Sequence, residues 1–144
     1  MLQTNVFCGT LQVDLDTGID MRDITGRLAD LIAESGISNG LLSAAMVGST
    51  GSLTTIEYEP GVIKDLKRAI NSLAPPEAVY EHEKSWHDGN GHSHVQAAII
   101  GPSLVLPVRN GRLRLGTWQQ VVAVNHDNRA RRRDLEITIS GTAA

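Results

Sequence analysis

The hydrophobic positions along the chain change period several times, and each change marks an element. Leu11, Val13 and Leu15 alternate with Gln12 and Asp14, the period of two that a half-buried strand requires. A strand is predicted over Val6–Leu15, followed by a turn at Asp16-Thr17-Gly18. From Asp23, a good N-cap, Ile24, Leu28, Leu31 and Ile32 recur at helical spacing, and Ser35-Gly36 supplies the stop. Two buried strands are expected over Gly40–Val47 and Leu53–Glu57, joined by the small polar loop Gly48-Ser49-Thr50-Gly51-Ser52. Pro60 fits the first position of a second helix with the stripe Val62, Leu66, Ala69, Ile70 and Leu73, ended by Ala74-Pro75-Pro76. Beyond it the pattern reads as strands only: Val95–Ile100, Leu104–Val108, Gly111–Leu115, Trp118–Asn125 and Leu135–Ile139. Asn110-Gly111 marks a hairpin turn among them. The order predicts a single α+β domain over residues 1–144, with helices segregated to one side of a mostly antiparallel sheet.

Composition narrows the function classes. Thirteen basic and sixteen acidic residues give a formal charge of -3, which argues against an electrostatically driven nucleic-acid binder. Aromatics are few (Phe7, Tyr58, Tyr80, Trp86 and Trp118), so the core is expected to be aliphatic. One cysteine, Cys8, excludes an internal disulfide or a thiolate zinc cluster within one chain. No apolar run approaches the roughly 20 residues of a membrane helix, and Met1–Asn5 does not resemble a signal peptide. A cytoplasmic protein without membrane or nucleic-acid partners is expected.

Four of the five histidines lie between Tyr80 and His94. Gly89, Asn90 and Gly91 form a turn between His87 and His92. If His92 and His94 enter the strand expected from Val95, their side chains share one face about 6.6 Å apart. They could then converge on one ion, with His82 or His87 as a third ligand. Three protein ligands and an open position suit catalytic zinc, and the same donors suit nickel or manganese. The alternative is a polar loop that happens to be rich in histidine. His126, in a turn with Asn125 and Asp127, reads as solvated.

Other residues carry chemistry too. Glu57 is a candidate base or metal ligand, or a favourable charge before the helix at Pro60. The Gly48–Ser52 loop offers hydroxyls and backbone N–H groups to a phosphate, though it lacks the P-loop pattern. Arg112 and Arg114 project from one strand face, and Arg129-Ala130-Arg131-Arg132-Arg133 concentrates guanidinium groups in one turn. Such groups match phosphate geometry; the other reading is a solvated turn.

Leu104-Val105-Leu106-Pro107-Val108, Asn110-Gly111-Arg112-Leu113 and Leu115-Gly116-Thr117-Trp118-Gln119-Gln120 together resemble the signature of the secondary thiamine-phosphate synthase family, also called YjbQ-like. Tyr80-Glu81-His82-Glu83 resembles its Tyr-x-His-Asp segment, and Asn90 to His94 its Asn-x-x-x-His segment. The basic turn Arg129–Arg133 agrees as well. The resemblance spans about Gln3 to Gly141. In one departure, many members carry His-Thr-(Thr/Ser)-Ala where this chain has Gly48-Ser49-Thr50-Gly51, so Gly48 replaces the family histidine. His92, at a position where members vary, is a candidate to compensate. Glu57 matches the family's acidic residue after that motif.

The resemblance implies a two-sheet, mostly antiparallel β-sandwich with two helices outside, assembled as a homotrimer. It implies a transferase that joins hydroxymethylpyrimidine diphosphate to a thiazole phosphate and releases diphosphate. The roles it suggests are Glu57 and Arg112 in catalysis, and Ser49, Thr50, Asn90, Arg129 and Arg131 on the phosphorylated substrate. His82, His92 and His94 would hold a divalent metal, zinc or, with diphosphate, magnesium. Two other readings stand beside it: a metal-dependent hydrolase of a small phosphorylated metabolite, and a non-catalytic trimeric protein that binds metal or metabolite.

Overall fold

The computed structural model describes residues 2–143. Its elements run β1 (Thr4–Leu15), β2 (Asp20–Asp23), α1 (Thr25–Ser35), β3 (Asn39–Val47), β4 (Gly51–Ile56), α2 (Pro60–Leu73), α3 (His82–Trp86), α4 (Gly91–Ile100), β5 (Ser103–Arg109), β6 (Arg112–Leu113), β7 (Gln120–Asn125) and β8 (Arg131–Thr142). The strands form a five-stranded sheet in the order β1-β8-β3-β5-β6 and a three-stranded sheet in the order β2-β7-β4. Every pairing is antiparallel. The expected α+β architecture with two sheets is present, with four helices instead of two.

The alternation in β1 works as expected. Leu11, Val13 and Leu15 are buried, and they meet inward-facing Leu135, Ile137 and Ile139 of β8 and Leu42, Ala44 and Met46 of β3. Leu28 and Ile32 of α1 join this core. β7 is different: Val121, Val122, Ala123 and Val124 are all fully buried. Val121 and Ala123 face the large core, whereas Val122 and Val124 face a smaller one with Met21 and Ile70. A strand covered on both faces is apolar throughout, not alternating. Among the described residues no helix is long and apolar enough to cross a membrane.

Helix boundaries follow local chemistry. Asp23 accepts the Thr25 N–H at 2.9 Å, and Gly36 closes α1 in the left-handed conformation at φ 69°. Pro60 opens α2 as expected, but the helix-start carboxylate is Glu59, not Glu57. Its two oxygens accept the N–H groups of Gly61 at 2.7 Å and Val62 at 2.9 Å. This places an acceptor and a negative charge where the first turn has unpaired donors. Asn110 and Gly111 both adopt positive φ, and β5 and β6 pair immediately on either side of them. That is the two-residue hairpin loop expected, although β6 covers only Arg112–Leu113 of the predicted Gly111–Leu115.

The main correction falls on residues 91–100, which form α4 and not a strand. Val95 and Ile99 suggest a strand but are exposed; Ser93, Gln96 and Ala97 are buried. The inward stripe is thus polar and small, and its helical spacing is invisible to a hydrophobic pattern. α4 begins where Gly91 lies against Tyr80: a Cβ on Gly91 would stand 2.4 Å from the Tyr80 Cβ. The short strand β2 and the single-turn helix α3 also fall where no element is predicted.

Candidate functional site

Three segments converge at one end of the fold: the Gly48–Thr50 turn between β3 and β4, the Asp88–His94 approach into α4, and the Asp127–Arg133 entry into β8. Together they line a cavity of about 430 Å3. Hydrogen bonds hold them in place. The buried Asn90 uses its Oδ1 to accept the Ser93 hydroxyl at 2.6 Å and the Asn128 N–H at 3.1 Å. Asn128 in turn donates its side-chain amide to the Asp88 carbonyl at 2.8 Å.

Buried Asp127 organises the polar wall. It accepts the Thr50 hydroxyl at 2.9 Å, Arg131 Nε at 3.1 Å and the Arg129 N–H at 3.0 Å. Burial alone would raise its pKa, but donors from Thr50, Asn90, Arg131 and the Arg129 backbone together outweigh burial and keep the carboxyl below its ordinary value. Arg133 donates from Nη2 to Thr50 Oγ1 and Asn125 Oδ1, both at 2.6 Å. Burial lowers the Arg133 pKa, opposed by Asp127; a guanidinium stays charged at neutral pH regardless.

The histidines divide between two places. On α3, the His82 ring lies 4.6 Å from the His94 ring, centroid to centroid, and its Nε2 is 3.2 Å from Asp88 Oδ1. Ligand atoms of His82, Glu83 and Asp88 all lie within 4.8 Å of one another. Glu83 is already committed: its oxygens accept the N–H groups of Gly89 at 2.8 Å and Gly91 at 2.9 Å, which lowers its pKa and clamps the glycine turn to α3. His94 lines the cavity. His92, two positions earlier on a helix, points away from His94, since two residues turn the helix by about 200°. It packs near Tyr80, and its Nδ1 is buried without a partner. Burial lowers its pKa. The expected convergence of His92 and His94 on one face therefore does not occur, because the segment is a helix.

His126 is the second correction. It is 1% exposed rather than solvated. Its Nδ1 lies 3.0 Å from Gln96 Oε1 and its Nε2 2.7 Å from Ser52 Oγ. Gln96 uses its amide N–H groups on Asn71 Oδ1 and the Ala74 carbonyl. Its Oε1 is then the acceptor, so Nδ1 carries the proton and Nε2 accepts from Ser52. Burial, and then the positive charge of Arg133, push the His126 pKa down to about 4.

Of the residues singled out from sequence, Ser49, Thr50, Asn90, His94 and Arg131 line this cavity, and His82 stands beside it through His94. Arg129 is exposed and contributes only its backbone N–H to Asp127. Glu57 lies in another depression with Trp118 and Gln119, and Arg112 in a third with Arg109 and Arg114. Neither depression shares a lining residue with the histidine cavity. Sequence reasoning missed Asp88, Asp127 and Arg133 as individual site residues. The signal for Asp127 was its position directly after the apolar run of β7, where a strand end delivers polar groups to one rim. A second, apolar lobe of about 280 Å3 adjoins the polar one, sharing Gly48, Ser49 and His94 and adding Gly51, Ala97, Ala98 and Pro102.

Comparison with known proteins adds an independent line. Residues 9–142 match the family model described as UPF0047 protein YjbQ-like. A UPF0047 protein of Methanothermobacter thermautotrophicus is 29% identical over 136 residues, 94% of this chain and 93% of that one. The UPF0047 protein YjbQ of Salmonella typhimurium is 35% identical over 120 residues, 83% of this chain and 84% of that one. The crystal structure of a protein of unknown function from Sulfolobus solfataricus superposes with a TM-score of 0.91 at 29% identity, covering 96% of this chain and 99% of the other. A hypothetical protein from Aeropyrum pernix gives 0.87 at 32% identity, covering 94% and 98%.

Proposed function

We propose that this chain, which belongs to the YjbQ-like UPF0047 family, is a transferase of the thiamine-phosphate synthase type. Its substrates on this reading are hydroxymethylpyrimidine diphosphate and a thiazole phosphate. The observation that carries the reading is a single cavity in which hydroxyls, guanidinium groups and an imidazole face one another: Ser49, Thr50, Arg131, Arg133 and His94. An adjoining apolar lobe over Ala97, Ala98 and Pro102 suits a ring attached to the phosphorylated group.

In this reaction the methylene C–O bond breaks and the diphosphate leaves with the electron pair. The thiazole nitrogen donates its lone pair to the same carbon. The protein must neutralise charge on the leaving oxygens and hold the nucleophile in line. Arg131 and Arg133 supply fixed positive charge, oriented by Asp127 and Thr50. Ser49 and Thr50 hydroxyls stand at the same wall.

A divalent ion fits beside this wall. His82 and Asp88 offer nitrogen and oxygen donors 3.2 Å apart, and the His94 ring is adjacent. Those three would hold it, and when bound it would screen the diphosphate charge. Hard oxygen and imidazole donors are compatible with magnesium, manganese or zinc.

An exposed apolar patch fits self-association. Val6, Leu41, Val47 and Val105 are exposed on the outer face of the five-stranded sheet, among serines, threonines and an alanine, with the carboxylates Asp134 and Glu136 at the Val47 end. A homotrimer covering that face is part of the proposal. Glu57 and Arg112, remote from the cavity within one chain, belong to catalysis only if a neighbouring subunit delivers them.

The test incubates purified protein with magnesium and each substrate alone or both together. Thiamine phosphate and diphosphate appearing only with both substrates supports the synthase. Turnover of one phosphorylated compound alone supports the hydrolase instead, and light scattering gives the subunit number.

A further inference from the structure

We propose that Arg133 is the anion anchor of this cleft, and that Gly48 leaves the Nη1 edge of its guanidinium open to a tetrahedral phosphoryl group. The inference rests on the reading of the cleft as a phosphate site and names the residue on which that site depends.

Arg133 is 7% exposed, yet it lines the cavity. Its hydrogen bonds are unevenly distributed. Nη2 serves both Thr50 Oγ1 and Asn125 Oδ1, while Nε is buried with no partner. Nη1 makes no hydrogen bond among the described residues. Asp127, the only carboxylate paired with it among the described residues, stands 3.9 Å from Nη2, and its own oxygens already receive Thr50, Arg131 and the Arg129 N–H. A buried cation with unmet donors is costly. An arginine with a purely structural role is expected to have those donors satisfied.

The idle nitrogens face the turn that forms the floor shared by both lobes of the cleft. A Cβ on Gly48 would stand 3.0 Å from Nη1, whereas one on Gly51 would meet Met46 Cγ and Sδ at 3.0 Å before reaching Nε at 3.3 Å. A side chain at Gly48 would crowd the guanidinium where its Nη1 donors are free. Thr50, between the two glycines, passes Arg133's hydrogen bond on to Asp127 and so fixes the plane of the guanidinium. A phosphate or diphosphate ester brings several acceptor oxygens, the complement that such a fork lacks. The neighbouring arginines are less firmly held. Arg132 pairs with Asp14 at 2.8 Å in solvent, and Arg131, anchored through Nε alone on Asp127, is exposed and adds charge beside the anchor.

The experiment titrates inorganic pyrophosphate into the full chain. Calorimetry gives the affinity, and nitrogen-15 NMR follows the Arg133 Nε–H, assigned through its own side-chain carbons. The expected result is binding to the wild type with a shifted Nε–H, a loss of tenfold or more in affinity for Arg133→Gln, and no comparable loss for Arg68→Gln on the exposed face of α2. An Nε–H that stays unmoved as wild-type protein saturates overturns the inference while leaving the phosphate reading intact. So does a folded Arg133→Gln that binds as wild type. If wild-type protein binds no pyrophosphate, the reading of the cleft itself fails, and the inference with it. The NMR arm uses only the wild type, so it decides the matter even if the Arg133 variant does not fold.

Discussion

Ser52 Oγ and His126 Nε2 lie 2.7 Å apart, both residues 1% exposed or less, in a chain of hydrogen bonds that continues through Gln96 to Asn71. This pair ties β4 to the rim of β7 and to α4. Burial, and then Arg133, push the His126 pKa down to about 4 and keep the ring neutral. In the unfolded chain the imidazole takes up a proton near its ordinary pKa of about 6.5. Stability is therefore complete above that pH and declines as the pH falls from about 6.5 towards 4. The full difference corresponds to about 3 kcal/mol. Thermal unfolding between pH 7.5 and 4 should show this loss in the wild type and a shallower slope in His126→Gln. Parallel profiles for the two proteins would contradict it.

Gly91 is predicted to tolerate no side chain while a Cβ stands at position 80, because a Cβ on Gly91 would meet the Tyr80 Cβ at 2.4 Å. Gly91→Ala should lose about 1–3 kcal/mol from overpacking. The loss should shrink when combined with Tyr80→Gly, which removes the Cβ that Gly91→Ala would meet, as coupled neighbours do. Denaturant unfolding of the four proteins measures the coupling. Additive losses would show that the crowding is relieved elsewhere.

Asp127→Ala removes the acceptor shared by Thr50, Arg131 and the Arg129 backbone. The expected cost is about 1–3 kcal/mol, the desolvation penalty of partners left unmatched. Pyrophosphate affinity should fall as well, because the guanidinium groups lose their orientation. A variant with wild-type melting temperature and affinity would remove Asp127 from both roles.

His92 and His94 should separate in metal-binding experiments. Zinc titration and elemental analysis are expected to show His94→Ala and His82→Ala weakening ion retention, since those rings stand together beside Asp88. His92→Ala should retain the ion, because its ring lies on the other side of α4 near Tyr80. Loss of the ion in His92→Ala with retention in His94→Ala would reverse this assignment.

The parts of the fold that sequence reading recovered are those where burial and hydrophobicity coincide. β1 alternates because one face meets the core, and α2 carries both its proline start and its apolar stripe. The reading failed where a buried stripe is polar. Ser93 and Gln96 point inward on α4 because the distant His126 and Ala74 satisfy them. No local pattern announces partners that far along the chain. The same partners explain His126, whose neighbours Asn125 and Asp127 suggest a solvated turn but are themselves buried. Of the phosphate-binding candidates, Ser49, Thr50, Asn90 and Arg131 line one cavity, and Arg129 does not. Their types announced a shared chemistry, even though the spacing argument for the histidines assumed the wrong element.

A crystal structure of the protein with magnesium and diphosphate decides whether the histidine cleft is the anion site. Diphosphate oxygens are expected between Ser49, Thr50 and the Arg131–Arg133 wall, with Arg133 in contact and His94 at the cavity edge. Diphosphate held instead by Arg109, Arg112 and Arg114, with the histidine cavity empty, would overturn that assignment.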